Sequence, residues 1–397
     1  MRQTVKVVVA ALVVLALVLS AFGCTSTPAT PTTAPAAATK APAAPAPTAA
    51  APAPAQATAA PAATKPAAAP TTGAAVPAGQ VIELKLHHHD PPTSPQHQKA
   101  QQVWADLIGQ KSGGKVHITV YPAETLGKST TAIDMAQNGV ADLAWGFIGN
   151  HPGKFPITDI LGLPMLGQKS GIGASKAVWE AYKTIPEIRK DWENLGLHVI
   201  FLHTGAPQVI GSTKPIGTME QLKGQRLRAI TGAPLKFLQA LGASPVNVPM
   251  PEVFEAVQKG TIDGYCTDWA GIGGFKFDEV SKYVLDDTLY TSTFYMVMSQ
   301  KKWDSLPPDV QQVFNEWGGD YASDLYGHVW QQASDDYKAA GVKKGIQLVK
   351  LTPDELAKWQ AKAPGVWDEY IKIVDSKGYS GQDLITKVKA LYAKYNE

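Results

Sequence analysis

Only two cysteines, Cys24 and Cys266, occur in 397 residues, and their contexts differ so much that no framework disulfide is expected. Cys266 reads as a small buried apolar residue rather than a nucleophile. A charge excess is missing as well: 36 basic residues stand against 34 acidic ones, and no basic run is interleaved with aromatics. That argues against a nucleic-acid partner. Catalytic signatures do not occur either. There is no GxSxG, no HExxH, no cysteine pair at metal spacing and no Gly-rich phosphate loop on a strand-to-helix turn. Gly171-Ile172-Gly173 is too short and misplaced for a dinucleotide fingerprint, and the pairs Asp286-Asp287 and Asp335-Asp336 read as solvated faces. The expectation is a protein that is not an enzyme and carries no cofactor.

What is present is 45% apolar and 18% charged residues, ordinary for a soluble globular protein, in a chain long enough for about two domains. Residues 1–23 read as a signal peptide. They have a basic start (Arg2, Lys6), an apolar core from Val7 to Leu19 that is short for a bilayer span, and the small-residue end Ser20-Ala21-Phe22-Gly23. Because Cys24 follows directly, this end resembles a bacterial lipoprotein signal with a lipidated cysteine, although Ala21 and Phe22 replace the more usual Leu and Ala or Ser. An ordinary cleaved signal is the alternative. Residues 24–79 are almost wholly Ala, Pro and Thr without apolar periodicity. They are expected to form a disordered tether with polyproline II bias, reaching on the order of 100 Å.

The globular pattern begins where Ile82, Leu84 and Leu86 alternate with Glu83, Lys85 and His87, as in a half-buried strand whose inward face His88 continues. Three consecutive histidines invite a metal reading, but strand neighbours point to opposite faces, so no metal site is expected. His88 is left between a pocket-rim role and plain strand-end polarity. Ala100, Val103, Trp104, Leu107 and Ile108 have helical spacing, and Val116, Ile118 and Val120 make a second strand. This order favours a parallel α/β sheet. A helix over 130–138 and a strand over 141–147 follow, and the strand's exit places Trp145 and Phe147 where open sheets bind ligands, unless they are core.

A helix over 174–195 and a strand over 197–203 complete the first part, and the chain crosses into a second domain from Thr204. A strand near 290–298 returns to the first. The helical pattern of 307–340 is interrupted at Gly318-Gly319, where a bend rather than a stop is expected, and a helix of this length can brace both lobes. Thr352-Pro353-Asp354-Glu355 matches a capping box, and a last helix spans 382–395.

Between Leu222 and Trp269 the pattern is strand, helix, turn, helix, strand, with Arg228 among apolar neighbours on the first strand. Pro234 and Pro251 stand at helix starts, and Gly242 and Gly260 just beyond helix ends, where a left-handed residue is wanted. Within this stretch occur Lys223-Gly224-Gln225-Arg226-Leu227-Arg228, Leu241-Gly242-Ala243-Ser244-Pro245, and Glu252-Val253-Phe254-Glu255-Ala256-Val257-Gln258-Lys259-Gly260-Thr261-Ile262-Asp263-Gly264. With Gly113-Gly114-Lys115-Val116, Tyr121-Pro122-Ala123, Leu126-Gly127 and Trp303-Asp304-Ser305-Leu306-Pro307, these resemble, in order, the solute-binding proteins of TRAP transporters of the dicarboxylate-binding (DctP) type, from Val81 to the C-terminus.

The resemblance implies an α/β, two-lobed periplasmic-binding-protein clamshell with lobe I over 80–204 and 293–332 and lobe II over 205–292 and 333–397. It implies a receptor in the periplasm or on the cell surface, held to the membrane only by a lipid on Cys24. Such a receptor hands an organic acid to TRAP membrane permease subunits. The arginine matching Arg228 grips the ligand carboxylate in this family, and guanidinium offers the planar fork that suits a carboxylate. Thr231, Met250, Phe147 and Asn150 fall where the family lines its cleft. A second arginine of many members aligns near Gln208, so a second anionic grip is not expected. Tyr265-Cys266-Thr267, followed by Asp268-Trp269, replaces a common Gln-Glu-Asn, which brings Tyr265, Thr267 and Trp269 into the expected site. The ligand expected is a monocarboxylate with an apolar or aromatic remainder, or a 2-oxo or hydroxy acid, rather than a heavily hydroxylated sugar acid. A sensory module on the cell surface is the alternative reading, and a secreted hydrolase on a similar scaffold is a third.

Overall fold

The computed structural model describes residues 81–230 and 232–396. The signal peptide, Cys24, the tether and Thr231 lie outside the described residues. Two sheets organise the rest. The first is built from β1 (Ile82–His87), β2 (Val116–Tyr121), β3 (Leu143–Phe147), β4 (Leu197–Thr204) and, after a long excursion, β10 (Thr293–Ser299). The second contains β5 (Val209–Ser212), β6 (Arg226–Arg228), β7 (Ser244–Val246), β8 (Gly264–Thr267), β9 (Tyr283–Leu285) and β11 (Gln347–Val349). Their orders are β2-β1-β3-β10-β4 and β11-β9-β5-β8-β6-β7.

The expected parallel sheet is mixed. β1 pairs in parallel with β2 and β3, but β10 runs antiparallel to both β3 and β4. The reason is connectivity: β10 arrives from the other sheet instead of through a helical crossover, so no right-handed βαβ unit sets its direction. The second sheet is mixed too, with β6 parallel to β7 and β8 but β5 antiparallel to β8 and β9.

Two helical patterns break where continuity was expected. Over 171–193 the chain forms Gly171–Thr184 and Pro186–Glu193, because Ile185 before the proline takes an extended conformation. At Gly318 the backbone leaves helical geometry (φ −86°, ψ −138°) and Gly319 turns left-handed (φ 42°), so Pro308–Trp317 stops and Gly319–Lys343 starts anew. A β-carbon at Gly318 would lie 2.4 Å from the Phe314 carbonyl oxygen, which leaves room only for glycine. The helix Gly319–Lys343 packs on Gly171–Thr184 and β4 beside the first sheet, and on Trp269–Gly274 beside the second. It therefore ties the elements around both sheets together.

Caps follow the sequence closely. Gly242 and Gly260 take positive φ (96° and 68°) just beyond their helices. Thr352 Oγ1 accepts from the Glu355 N–H at 3.2 Å, as a capping residue should. Glu355, however, does not reach back to Thr352; its Oε1 accepts from the Met219 N–H at 2.5 Å and joins two distant segments. Asp286, expected on a solvated face, is buried, with Lys338 Nζ at 2.6 Å and Lys350 Nζ at 3.2 Å. Among the described residues no helix is long and apolar enough to cross a membrane.

Candidate functional site

A cavity opens where the carboxyl ends of strands from the two sheets meet, the place where open sheets bind ligands. From the first sheet, His89 and Asp90 follow β1, and Trp145 and Phe147 end β3. From the second, Arg228 ends β6, and Thr267 and Asp268 end β8. The empty space is about 720 Å³ including its mouth, which opens to solvent.

Arg228 is the cavity's cation. It is 3% exposed, its Nε–H donates to the Val248 carbonyl at 2.9 Å, and its Nη1 donates to the Cys266 carbonyl at 3.0 Å. Those two carbonyls hold the guanidinium plane. No carboxylate lies within ion-pair distance of it among the described residues. Burial lowers its pKa to about 10, with Tyr290 and Cys266 acting in the opposite sense, so it stays charged at neutral pH.

Facing it is an aromatic wall. Trp145 stacks on Phe294 with centroids 4.9 Å apart and planes 6° from parallel, and Trp330 and His89 lie 5.4 Å and 5.0 Å from the same ring. Trp145 Nε1 donates to His203 Nε2 at 2.9 Å, while the other ring nitrogen of His203 lies 3.1 Å from the Thr204 carbonyl oxygen. That pair fixes His203 as the neutral Nδ1–H form, in keeping with burial pushing its pKa down to about 3. The indole is thereby held at a fixed angle, with its N–H already used, and presents apolar surface to the cavity.

Two carboxyl groups share the lining with neutral polar side chains that include Gln96, Asn150, Gln208 and Thr267. Asp268 caps the helix Trp269–Gly274, its Oδ1 accepting from the Gly271 N–H at 2.7 Å. Burial raises its pKa to about 6 against the lowering effect of donors that include Gly271 and Gln208. Asp90 is raised to about 8 by burial and by repulsion from Asp268.

Of the residues singled out in the sequence, Arg228, Trp145, Phe147, Asn150, Gln208, Met250 and Thr267 line this cavity. Three do not. Tyr265 is fully buried in the core of the second sheet, its hydroxyl 2.7 Å from Ser281 Oγ and its ring pressed over Gly211. Trp269 is buried in the second sheet's core, away from the cavity lining, and donates from Nε1 to Asp286 Oδ1 at 3.0 Å. His88 packs behind the cavity, its Nε2 3.0 Å from His97 Nδ1. Alternation explains the first error only in part: Tyr265 and Thr267 share a face, but the cavity reaches only the last residue of the strand. Residues that sequence reasoning missed are Asp90, Asp268, Tyr290, Phe294 and Trp330. Asp268 carried a readable signal, an aspartate directly before a helical run, which is a capping position. Among the described residues no group of three or more His, Cys, Asp or Glu could hold a metal ion.

Known proteins give this geometry a context. The family model for bacterial extracellular solute-binding protein, family 7 (DctP), matches residues 86–373. The 2,3-diketo-L-gulonate-binding periplasmic protein YiaO of Escherichia coli strain K12 is 26% identical over 316 residues, spanning 77% of this chain and 90% of that protein. A TRAP solute-binding protein from Rhodoferax ferrireducens T118, solved with copurified benzoate, is 30% identical with a TM-score of 0.74, covering 80% of this chain and 99% of that one. A marine metagenome TRAP solute-binding protein specific for aromatic acid ligands, solved with 3-hydroxybenzoate, is 28% identical with a TM-score of 0.75, covering 80% and 100%.

Proposed function

The chain belongs to bacterial extracellular solute-binding protein family 7, and on that premise we propose that it captures an aromatic monocarboxylate for a TRAP transporter, with Arg228 as the carboxylate grip. The observation that carries this reading is a buried guanidinium, aimed by two backbone carbonyls, that has no acidic partner and faces stacked aromatic rings. A bidentate carboxylate supplies the missing countercharge, and the wall of Trp145, Phe147, Phe294 and Trp330 accepts a flat apolar remainder. An unpaired buried cation is costly, so ligand favours the closed arrangement of the cleft over an open, wet one. The lobes that close are 80–204 with 293–332 and 205–292 with 333–397, the terminal helix Gly381–Lys394 reaching back onto Gly171–Thr184. Relatives solved with benzoate and 3-hydroxybenzoate, at 30% and 28% identity, support this ligand class, while YiaO, at 26%, is named for a sugar acid.

Delivery to membrane permease subunits is the further step of this reading, supported by relatives that are TRAP solute-binding proteins, and a lipid on Cys24 would keep the receptor at the membrane. Calorimetric titration with benzoate, phenylacetate, hydroxybenzoates, galacturonate and sialic acid tests the ligand class. Micromolar or tighter binding is expected only among the aromatic acids, and tight binding confined to a sugar acid would overturn it. Loss of the Cys24→Ser variant from the membrane fraction is the expected sign of the anchor.

A further inference from the structure

Carboxylate capture at Arg228 leaves three buried polar atoms of the cavity unused. Asp90 Oδ2, Gln96 Oε1 and His89 Nδ1 have no hydrogen-bond partner among the described residues. Their residues are 5%, 4% and 8% exposed, and all three line the cavity. They belong to one short segment, the exit of β1 and the turn of helix that starts at Gln96. Leaving a buried donor or acceptor unpaired costs about 1–3 kcal/mol. Three of them in one corner of a binding cavity mark where a ligand group completes the bonding.

The neighbouring histidines explain why Asp90 Oδ2 finds no partner among the described residues. The Asp90 N–H donates to His88 Nδ1 at 3.1 Å, so that nitrogen carries a lone pair and His88 Nε2–H donates to His97 Nδ1 at 3.0 Å. Burial lowers the His88 pKa well below its ordinary value and keeps the ring neutral. The 3.9 Å approach of Asp90 Oδ2 to His88 Nδ1 is therefore not an ion pair. The other charged or titratable groups acting on this corner are Asp268, which raises Asp90, Glu124, which raises His89, and His87 and Arg228, which lower it. With its pKa raised, Asp90 holds its proton at neutral pH and can donate one hydrogen bond, whereas Gln96 Oε1 can only accept. A hydroxyl accepts one bond and donates one, and so answers both.

We propose that Asp90 and Gln96 form a second polar subsite that takes a hydroxyl on the aromatic acid held by Arg228, and so selects hydroxylated aromatic acids over the unsubstituted parent. The proposal rests on the aromatic-carboxylate reading above. Sites built to bond a hydroxyl discriminate strongly against analogues lacking it.

Calorimetry on the full-length protein with benzoate, its three hydroxy isomers, its three amino isomers and the hydroxyphenylacetates tests it. At least one hydroxy acid is expected to bind ten-fold or more tightly than its unsubstituted parent. In Gln96→Leu and Asp90→Ala, each checked for folding by circular dichroism, that ratio is expected to fall toward one. Parent acids binding as tightly as every hydroxy acid would overturn the subsite and leave the aromatic-acid reading intact. An amino acid isomer preferred over all hydroxy isomers, or a ratio unchanged in both folded variants, would overturn it too. If no aromatic acid binds at all, the underlying reading fails first.

Discussion

Arg228 Nη1 donates to the carbonyl of Cys266 at 3.0 Å, so the strand that carries Thr267 into the cavity also aims the guanidinium. Ligand grip and sheet register are one structure. Replacing the fork by a point charge should then cost more than charge alone suggests, since lysine cannot hold the carbonyl and the ligand together. Arg228→Ala is expected to weaken aromatic-acid binding about 100-fold or more (roughly 3 kcal/mol), and Arg228→Lys on the order of ten-fold. Calorimetry beside a thermal melt checks both. Undiminished affinity in a folded Arg228→Ala protein would remove the clamp.

Trp269 gives the opposite prediction. Its indole N–H meets Asp286 Oδ1 at 3.0 Å, and Asp286 also receives Lys338 and Lys350. Trp269→Phe should lower stability by about 1–3 kcal/mol, because a buried carboxylate loses a donor. Ligand affinity should stay within about two-fold of native. A denaturant titration and a binding isotherm on the same sample separate the two, and a large affinity loss at unchanged stability would return Trp269 to the site.

The contrast between these residues shows what was legible in the sequence. Trp145 and Phe147 could be read because they lie at the exit of a strand, and strand ends converge on a cleft in this kind of fold, whereas Arg228 stood out as an arginine among apolar neighbours and took its role from the family resemblance. Tyr265 could not, because it lies inside its strand, short of the end that the cavity reaches, and Trp269 could not, because adjacency along the chain does not set the direction a side chain takes in the helix that follows. Phe294 and Trp330 were invisible for a different reason. They come from β10 and the helix Gly319–Lys343, which return to the first sheet from far along the chain. Helix starts were read well from local chemistry, as at Thr352, but the stop at Gly318 depended on how closely the chain packs there on the Phe314 carbonyl.

The buried carboxyls set a pH dependence of stability. Burial raises Asp90 to about 8 and Asp159 to about 7 from 3.8, so the folded chain binds more protons than the unfolded one up to those values. Stability from this source falls as pH rises. Buried His87, His89, His151 and His198, each lowered to about 4 from 6.5, and His88, His97 and His203, lowered as well, act in the other direction until the unfolded chain has lost its imidazolium protons, about one pH unit above 6.5. From pH of about 7.5 to 8.5 the carboxyls dominate. The melting temperature should drop across that window, and Asp90→Asn should flatten the drop by removing one titration. A native melting temperature that climbs from about 7.5 to 8.5 would contradict this assignment.

Gly271 gives the last test, because it sits on the cavity floor for want of a side chain. A β-carbon there would lie 2.6 Å from Met250 Cε and 2.6 Å from Thr267 Oγ1, both on cavity-lining residues. Its N–H is already bound to Asp268 Oδ1, so the backbone cannot easily retreat. In Gly271→Ala the flexible methionine yields first, and its methyl group moves into the space the ligand needs. Overpacking of this kind costs about 1–3 kcal/mol, and most of it should appear in binding rather than folding. Affinity for the aromatic acid is expected to fall by roughly ten-fold or more with the melting temperature nearly unchanged, and Met250→Ala in the same background should restore much of it. Failure of that rescue in a folded double variant would mean that Gly271 acts through Thr267 or the Asp268 cap, and not through the methionine.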